Sequence, residues 1–211
     1  MSLIVFAQDR QTIDRVSGNL LYIYQFEKVQ GTSFLKDKWM DASVTVENGY
    51  TFKHVQLKFD VYNNKFIFNR NDSAYELGVY VNAVCFYPNP SDTTQKFFFK
   101  KGYTINNTIK AERYLQVLAE GKISLLKSYQ KEIEEYTEYG DANKFKRFND
   151  KETYYLLQDG QYKLISFNKK SLENVFASQY TKIEALLKEK DLSPKDEAGW
   201  IAAINYNNAI K

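Results

Sequence analysis

The fold class predicted from the sequence is α+β: a mainly antiparallel β-meander, rolled or sandwiched, with a small C-terminal helical tail. Three observations predict it. Apolar and polar residues alternate with a period of two from about residue 20 to residue 167, the signature of strands with one dry and one wet face. Turn dipeptides that tolerate positive φ, such as Asn48-Gly49 and Asp159-Gly160, separate the alternating runs. After Phe167 the apolar spacing changes to three and four residues.

In order along the chain, Val44-Thr45-Val46 and Tyr50-Thr51-Phe52 flank Asn48-Gly49 as a hairpin. Val55 to Val61 alternates without error, and Asn63-Asn64 separates it from Phe66-Ile67-Phe68. A strand over Val79 to Tyr87 ends at Pro88-Asn89-Pro90, and Lys96 to Lys100 forms the next. Two more hairpins are predicted: Tyr114 to Ala119 with Lys122 to Leu126 around Glu120-Gly121, and Thr153 to Gln158 with Gln161 to Phe167 around Asp159-Gly160. Residues 131–139, rich in Glu, fit a strand extension or a helical turn equally. In the tail, Leu172, Val175, Phe176, Tyr180, Ile183, Leu186 and Leu187 mark helices, and Ser193-Pro194 reads as the N-cap and first position of a last one carrying Trp200, Ile201 and Ile204. The strand count comes to roughly nine to eleven. The predicted organisation is a signal-peptide remnant at 1–8, a β-rich domain at 9–167, and helices at 168–211 packed on it.

The composition narrows the function classes. The 211 residues carry a net charge of +3, too little for a nucleic-acid or anionic-membrane partner without clustering. One Cys excludes an internal disulfide, and one His excludes a multi-histidine metal site. No stretch approaches ~18 uninterrupted apolar residues, so no membrane-spanning helix is expected. The opening Leu3-Ile4-Val5-Phe6-Ala7 ends in the small-residue pattern that a signal peptidase selects, and the expectation is a mature N-terminus near Gln8 and a protein in the periplasm, cell envelope or medium; the alternative is a short first strand. A single Cys suits that compartment.

No local catalytic signature is present, and no catalytic, cofactor-binding or metal-ligating residue is assigned. Cys85, between Val84 and Phe86, reads as a buried structural thiol on the face of Val81 and Ala83. His54 reads as a solvated strand residue beside Gln56 and Lys58. Glu132, Glu134, Glu135 and Glu138 read as a solvated charged run, and Asp37, Asp41 and Glu47 lack calcium-loop spacing. Aromatics are the unusual resource, at 16% of residues. Tyr154-Tyr155 and Phe97-Phe98-Phe99 place rings on both faces of their strands, either to pack a sheet covered on both sides or to line a binding groove.

Three stretches together resemble a group of uncharacterised exported proteins common in Bacteroidetes-type bacteria: Gly31 to Trp39 leading into Ala42-Ser43-Val44-Thr45, Val117 to Lys127, and the pair Lys170 to Phe176 with Ile201 to Asn205. The resemblance implies a secreted or envelope-associated β-rich module and brings no activity or site residues. The expectation is a non-catalytic protein that binds a protein partner or a surface glycan. The alternatives are a hydrolase built on carboxylates without a local signature and a carrier of a small hydrophobic ligand.

Overall fold

A computed structural model describes Phe26 and residues 28–70, 73–78, 80–89, 91–92, 94–105, 109–139 and 143–210. The expected signal remnant lies outside them. The described chain is mostly strand, with helices gathered at its C-terminal end, as the alternation and its abrupt change predict. Eleven strands are present among the described residues: β1 (Val29–Gln30), β2 (Met40–Val46), β3 (Thr51–Asp60), β4 (Lys65–Arg70), β5 (Ser73–Glu76), β6 (Val81–Tyr87), β7 (Phe97–Lys100), β8 (Leu115–Ala119), β9 (Ile123–Thr137), β10 (Lys144–Gln158) and β11 (Gln161–Ile165). Three helices follow: α1 (Lys169–Val175), α2 (Tyr180–Glu189) and α3 (Glu197–Ala209). Residues 131–137 are strand, which resolves the Glu-rich stretch. None of the described helices is long and apolar enough to cross a membrane.

The chain divides into two compact units. Of the described residues, the first holds those up to 103 together with 111–114 and 129–151. Its sheet runs β7-β6-β2-β3-β4-β5 in antiparallel pairs, and β1 pairs parallel with β10 at Val29↔Lys146. One face forms a core of Met40, Ala42, Val44, Phe52, Leu57, Phe59, Phe66, Val84, Phe86 and Phe99. Each of these side chains larger than alanine is worth roughly 1.5–3 kcal/mol on burial. The rings meet edge-on or offset, as their quadrupoles favour: Phe66 lies 4.6 Å from Tyr114 at 66° and 4.6 Å from Phe59 at 29°. Asn64, at φ 56°, closes the β3–β4 turn. Its amide donates to the Glu112 carbonyl (3.1 Å) and accepts from the Tyr114 N–H (3.1 Å), which sets Tyr114 over the core.

The second unit holds residues 104–110, 115–128 and 152–211. Here β8 pairs with the start of β9, and the end of β10 pairs with β11. Ala119, Ile123, Leu125, Leu156 and Ile165 from the strands share a core with Leu172, Phe176, Ile183, Leu187, Trp200, Ala203 and Ile204 from the helical segment. Trp200 is fully buried, stacks on Phe167 at 5.5 Å and donates its indole N–H to the Pro194 carbonyl (2.9 Å).

Local chemistry departs from the sequence reading at two places, the Asn48-Gly49 loop and the start of the last helix. The loop at Asn48-Gly49 spans three residues, with Gly49 at φ 84° and the Val46 N–H bonded to the Tyr50 carbonyl (3.0 Å), so a one-residue bulge replaces the two-residue turn. At Asp159-Gly160 both residues take positive φ (51° and 73°), the two-residue arrangement expected. The last helix begins at Glu197 with Asp196 as its N-cap, not at Pro194. Ser193 instead closes a turn: its hydroxyl accepts from the Lys195 N–H (3.1 Å) and its carbonyl from the Asp196 N–H (3.2 Å). Gly199 lies directly against the Ser193 carbonyl, where any Cβ would collide with it.

Candidate functional site: the polar face of the first unit

The β2–β3–β6–β7 sheet has a second face, opposite the core, whose residues range from buried Ala83 through half-buried Asp41, Ser43, Cys85, Tyr87 and Phe98 to exposed Thr51, His54 and Gln56. Strand register arranges them in rows. Gln56, Asp41 and Tyr87 face one another across β3, β2 and β6. Ser43, Cys85 and Phe98 do so across β2, β6 and β7. A third row joins Thr51 and Thr45, whose hydroxyls lie 3.0 Å apart, to Ala83 and Lys100.

Two bulges decide which residues reach this face. In β3, Lys53 and His54 together oppose Ser43, because Ala42 pairs with Val55 and Val44 with Phe52. His54 absorbs the extra residue at φ 58°, a left-handed conformation uncommon outside glycine. Its side chain is 67% exposed, as its surroundings in sequence predict, and its Nδ1 lies 3.3 Å from Asp41 Oδ2. Gln56 donates to the other Asp41 oxygen (3.3 Å), so the carboxylate, only 12% exposed, is held from two sides.

In β6, Asn82 is the extra residue, since Thr45 pairs with Ala83 and Val46 with Val81. The parity of the strand changes there. Val81 turns to the core with Val84 and Phe86, while Cys85 falls on the opposite face. The expected sharing of a buried face by Val81 and Cys85 is therefore corrected: Cys85 is half-buried, not enclosed. Burial raises its thiol pKa, against a hydrogen bond from Tyr87 and the charge of Lys96 that lower it. A raised pKa keeps the thiol protonated and is the opposite of what nucleophilic catalysis requires. The Tyr87 hydroxyl lies 3.4 Å from Ser43 Oγ. That bond favours the phenolate, but burial and the neighbouring Cys85 and Asp41 outweigh it and leave Tyr87 raised.

At one end of this face the Gly31–Trp39 segment lies along β3, held by Leu35 N–H to the Phe59 carbonyl (2.9 Å) and Val61 N–H to the Ser33 carbonyl (3.0 Å). It brings Phe34 and Trp39 around the Lys58 ammonium, 4.9 and 5.1 Å from the ring centres, with Asp37 at 2.7 Å.

The other residues weighed from sequence sit elsewhere. Glu134 pairs with Arg147 (3.0 Å) and Glu135 with Lys146 (3.4 Å), on exposed strand surface; the adjacent Lys146 and Lys144 hold Glu135 below the usual carboxylate range. Glu47 pairs with Lys101 at 3.2 Å. Phe99 is fully buried, whereas Phe97 is half-exposed. Tyr154 packs on Phe167 at 4.3 Å in the second unit, and Tyr155 is buried.

The second unit contains a cluster with no signal in the sequence. Lys127 Nζ bridges Glu152 (2.9 Å) and Glu197 (3.0 Å), and the Tyr154 hydroxyl donates to Glu197 (2.9 Å). Burial pushes the Tyr154 pKa up to about 12. The three charged residues come from β9, β10 and the first turn of α3, and only the fold joins them. Among the described residues, no group of three or more His, Cys, Asp and Glu side chains is placed to hold a metal ion.

No family model, no curated protein and no solved structure matches the chain.

Proposed function

We propose that this is a non-catalytic binding module of an exported or envelope-associated protein, and that the polar face of the first unit is its binding surface, with a glycan as ligand. The observation that carries the reading is the row structure of that face. Tyr87 and Phe98 stand half-exposed; the Tyr87 hydroxyl meets Ser43, and beside them Asp41 is held by Gln56 and His54. An array of rings and polar groups suits a sugar, whose C–H faces pack on rings while its hydroxyls bond to carboxylate, amide and imidazole. Burial raises the Cys85 thiol pKa, which argues against Cys85 as a nucleophile on this face. The exported setting follows from the Val5-Phe6-Ala7 pattern and from the resemblance of the three sequence stretches.

The test is retention of the protein on insoluble glycans: peptidoglycan sacculi, chitin, cellulose and starch. Retention on at least one of them, lost in a Tyr87→Ala/Phe98→Ala variant that melts like the parent, supports the proposal. Retention on none of them refutes it. A second reading, a carboxylate hydrolase, rests on the convergence of Glu152 and Glu197 on one ammonium. Release of reducing ends from these glycans, abolished by Glu197→Gln, would establish it instead.

A further inference from the structure

We infer that Phe34, Trp39 and Asp37 form a recognition box for an ammonium group of the ligand, and that Lys58 is its tethered occupant, displaced when the ligand binds. The inference rests on the reading of this face as a binding surface and names the ligand group that one end of it takes. Two rings with a carboxylate around a cation are the arrangement by which proteins bind primary and quaternary ammonium groups, through ring quadrupole and charge together. All three elements are in place around Lys58 Nζ, at 4.9 Å and 5.1 Å from the rings and 2.7 Å from the carboxylate.

The Phe34 wall does not depend on the cation it borders. Ser33 and Leu35 are tied to β3 and the residue after it by backbone hydrogen bonds, Leu35 packs on the core, and Phe34 bridges to Asp60. Withdrawing Lys58 would therefore leave the Phe34 wall in place, with Trp39 fixed next to the first residue of β2. The box is also within reach of solvent: Asp37 is 59% exposed, and Phe34 and Trp39 are half-exposed. The lysine stem is flexible and its ammonium strongly hydrated, so it can leave to water while the incoming cation takes its place. A built-in competitor of this kind lowers affinity for a lone ammonium and reserves the site for a ligand that also engages the neighbouring rows, a few residues away on the same face.

The test is a fluorescence titration of the full chain, whose two tryptophans are Trp39 in the box and the fully buried Trp200. The probes are choline (quaternary ammonium), glucosamine (primary ammonium) and N-acetylglucosamine (no charge). The expected result is a saturable change with choline or glucosamine and none with N-acetylglucosamine. Affinity should rise at least fivefold in Lys58→Ala, fall at least threefold in Asp37→Asn, and the response should vanish in Trp39→Phe. Because Asp37 is largely exposed, Asp37→Asn retains a folded comparison even if Lys58→Ala does not fold. Three results would overturn the inference: no response to either cation, an equal response to the uncharged sugar, or a folded Lys58→Ala protein with unchanged affinity. Glycan retention through Tyr87 and Phe98 is scored separately, so failure of the box and failure of the binding face are told apart.

Discussion

The junction of α3 with the β8–β9 hairpin allows a quantitative test by a double-mutant cycle. Asn208 near the end of α3 bonds both backbone groups of Ile123: its Oδ1 accepts from the N–H (3.0 Å) and its Nδ2 donates to the carbonyl (2.8 Å). The amide thus substitutes for a neighbouring strand. Gly121 lies underneath, where an added Cβ would meet Asn208 Nδ2 and come within 2.6 Å of Asn208 Cγ. Asn208→Ala removes two hydrogen bonds, each worth about 0.5–1.5 kcal/mol net, so it should cost about 1–3 kcal/mol. The lower half of that range is expected, because Asn208 is half-exposed and water can reach the freed groups. Gly121→Ala should cost a similar amount in the parent, since the new methyl group expels the same amide. In the Asn208→Ala background most of that cost should disappear, leaving only the contact with the Cβ of residue 208 at 3.1 Å. The coupling is therefore about 1–2 kcal/mol, read from urea midpoints at constant m. Additive costs, or an Asn208→Ala protein within 0.3 kcal/mol of the parent, would refute the clamp; that margin is about the scatter of additivity itself.

Lys127→Met should lower stability by about 1–3 kcal/mol in urea melts, because it leaves Glu152 and Glu197 facing each other without their shared cation; the figure is discounted from that of a fully buried pair, as the carboxylates are 45% and 35% exposed. Tyr154, with its pKa raised to about 12 by burial, is protonated in the folded chain where an unfolded tyrosine has ionised. Its contribution is complete below pH ~10 and is lost as pH rises through about 12, so Tyr154→Phe should flatten the alkaline fall in melting temperature and remove one late step from the phenolate absorbance titration. Cys85 should react slowly with a thiol reagent at neutral pH and accelerate above the ordinary thiol range; rapid labelling of the folded chain at pH 7 would contradict its environment.

The sequence by itself determined the β-rich class, most strand positions, the helical end of the chain and the apolar residues of both cores. These depend on short-range rules: a period of two or three to four, and turn residues that accept positive φ. Phe66, Val84, Leu125 and Trp200 occupy core positions for that reason. Tertiary structure decided where parity breaks. Plain alternation already sets His54 beside Gln56 and Lys58, but the bulge at Asn82 turns Val81 to the core and leaves Cys85 on the opposite face, and the bulge at Lys53-His54 adds Lys53 beside His54; alternation read along a single strand carries no record of a partner strand that is one residue shorter. It also decided which distant residues meet. Lys127 joins Glu152 and Glu197, Asn208 reads the backbone of Ile123, and Phe34 and Trp39 close on Lys58. Each of these contacts spans separate elements, and each involves a polar side chain that local periodicity assigns to the surface. Burial of apolar area is additive and leaves its pattern in the sequence, whereas a polar contact is directional and exists only once both partners are in place.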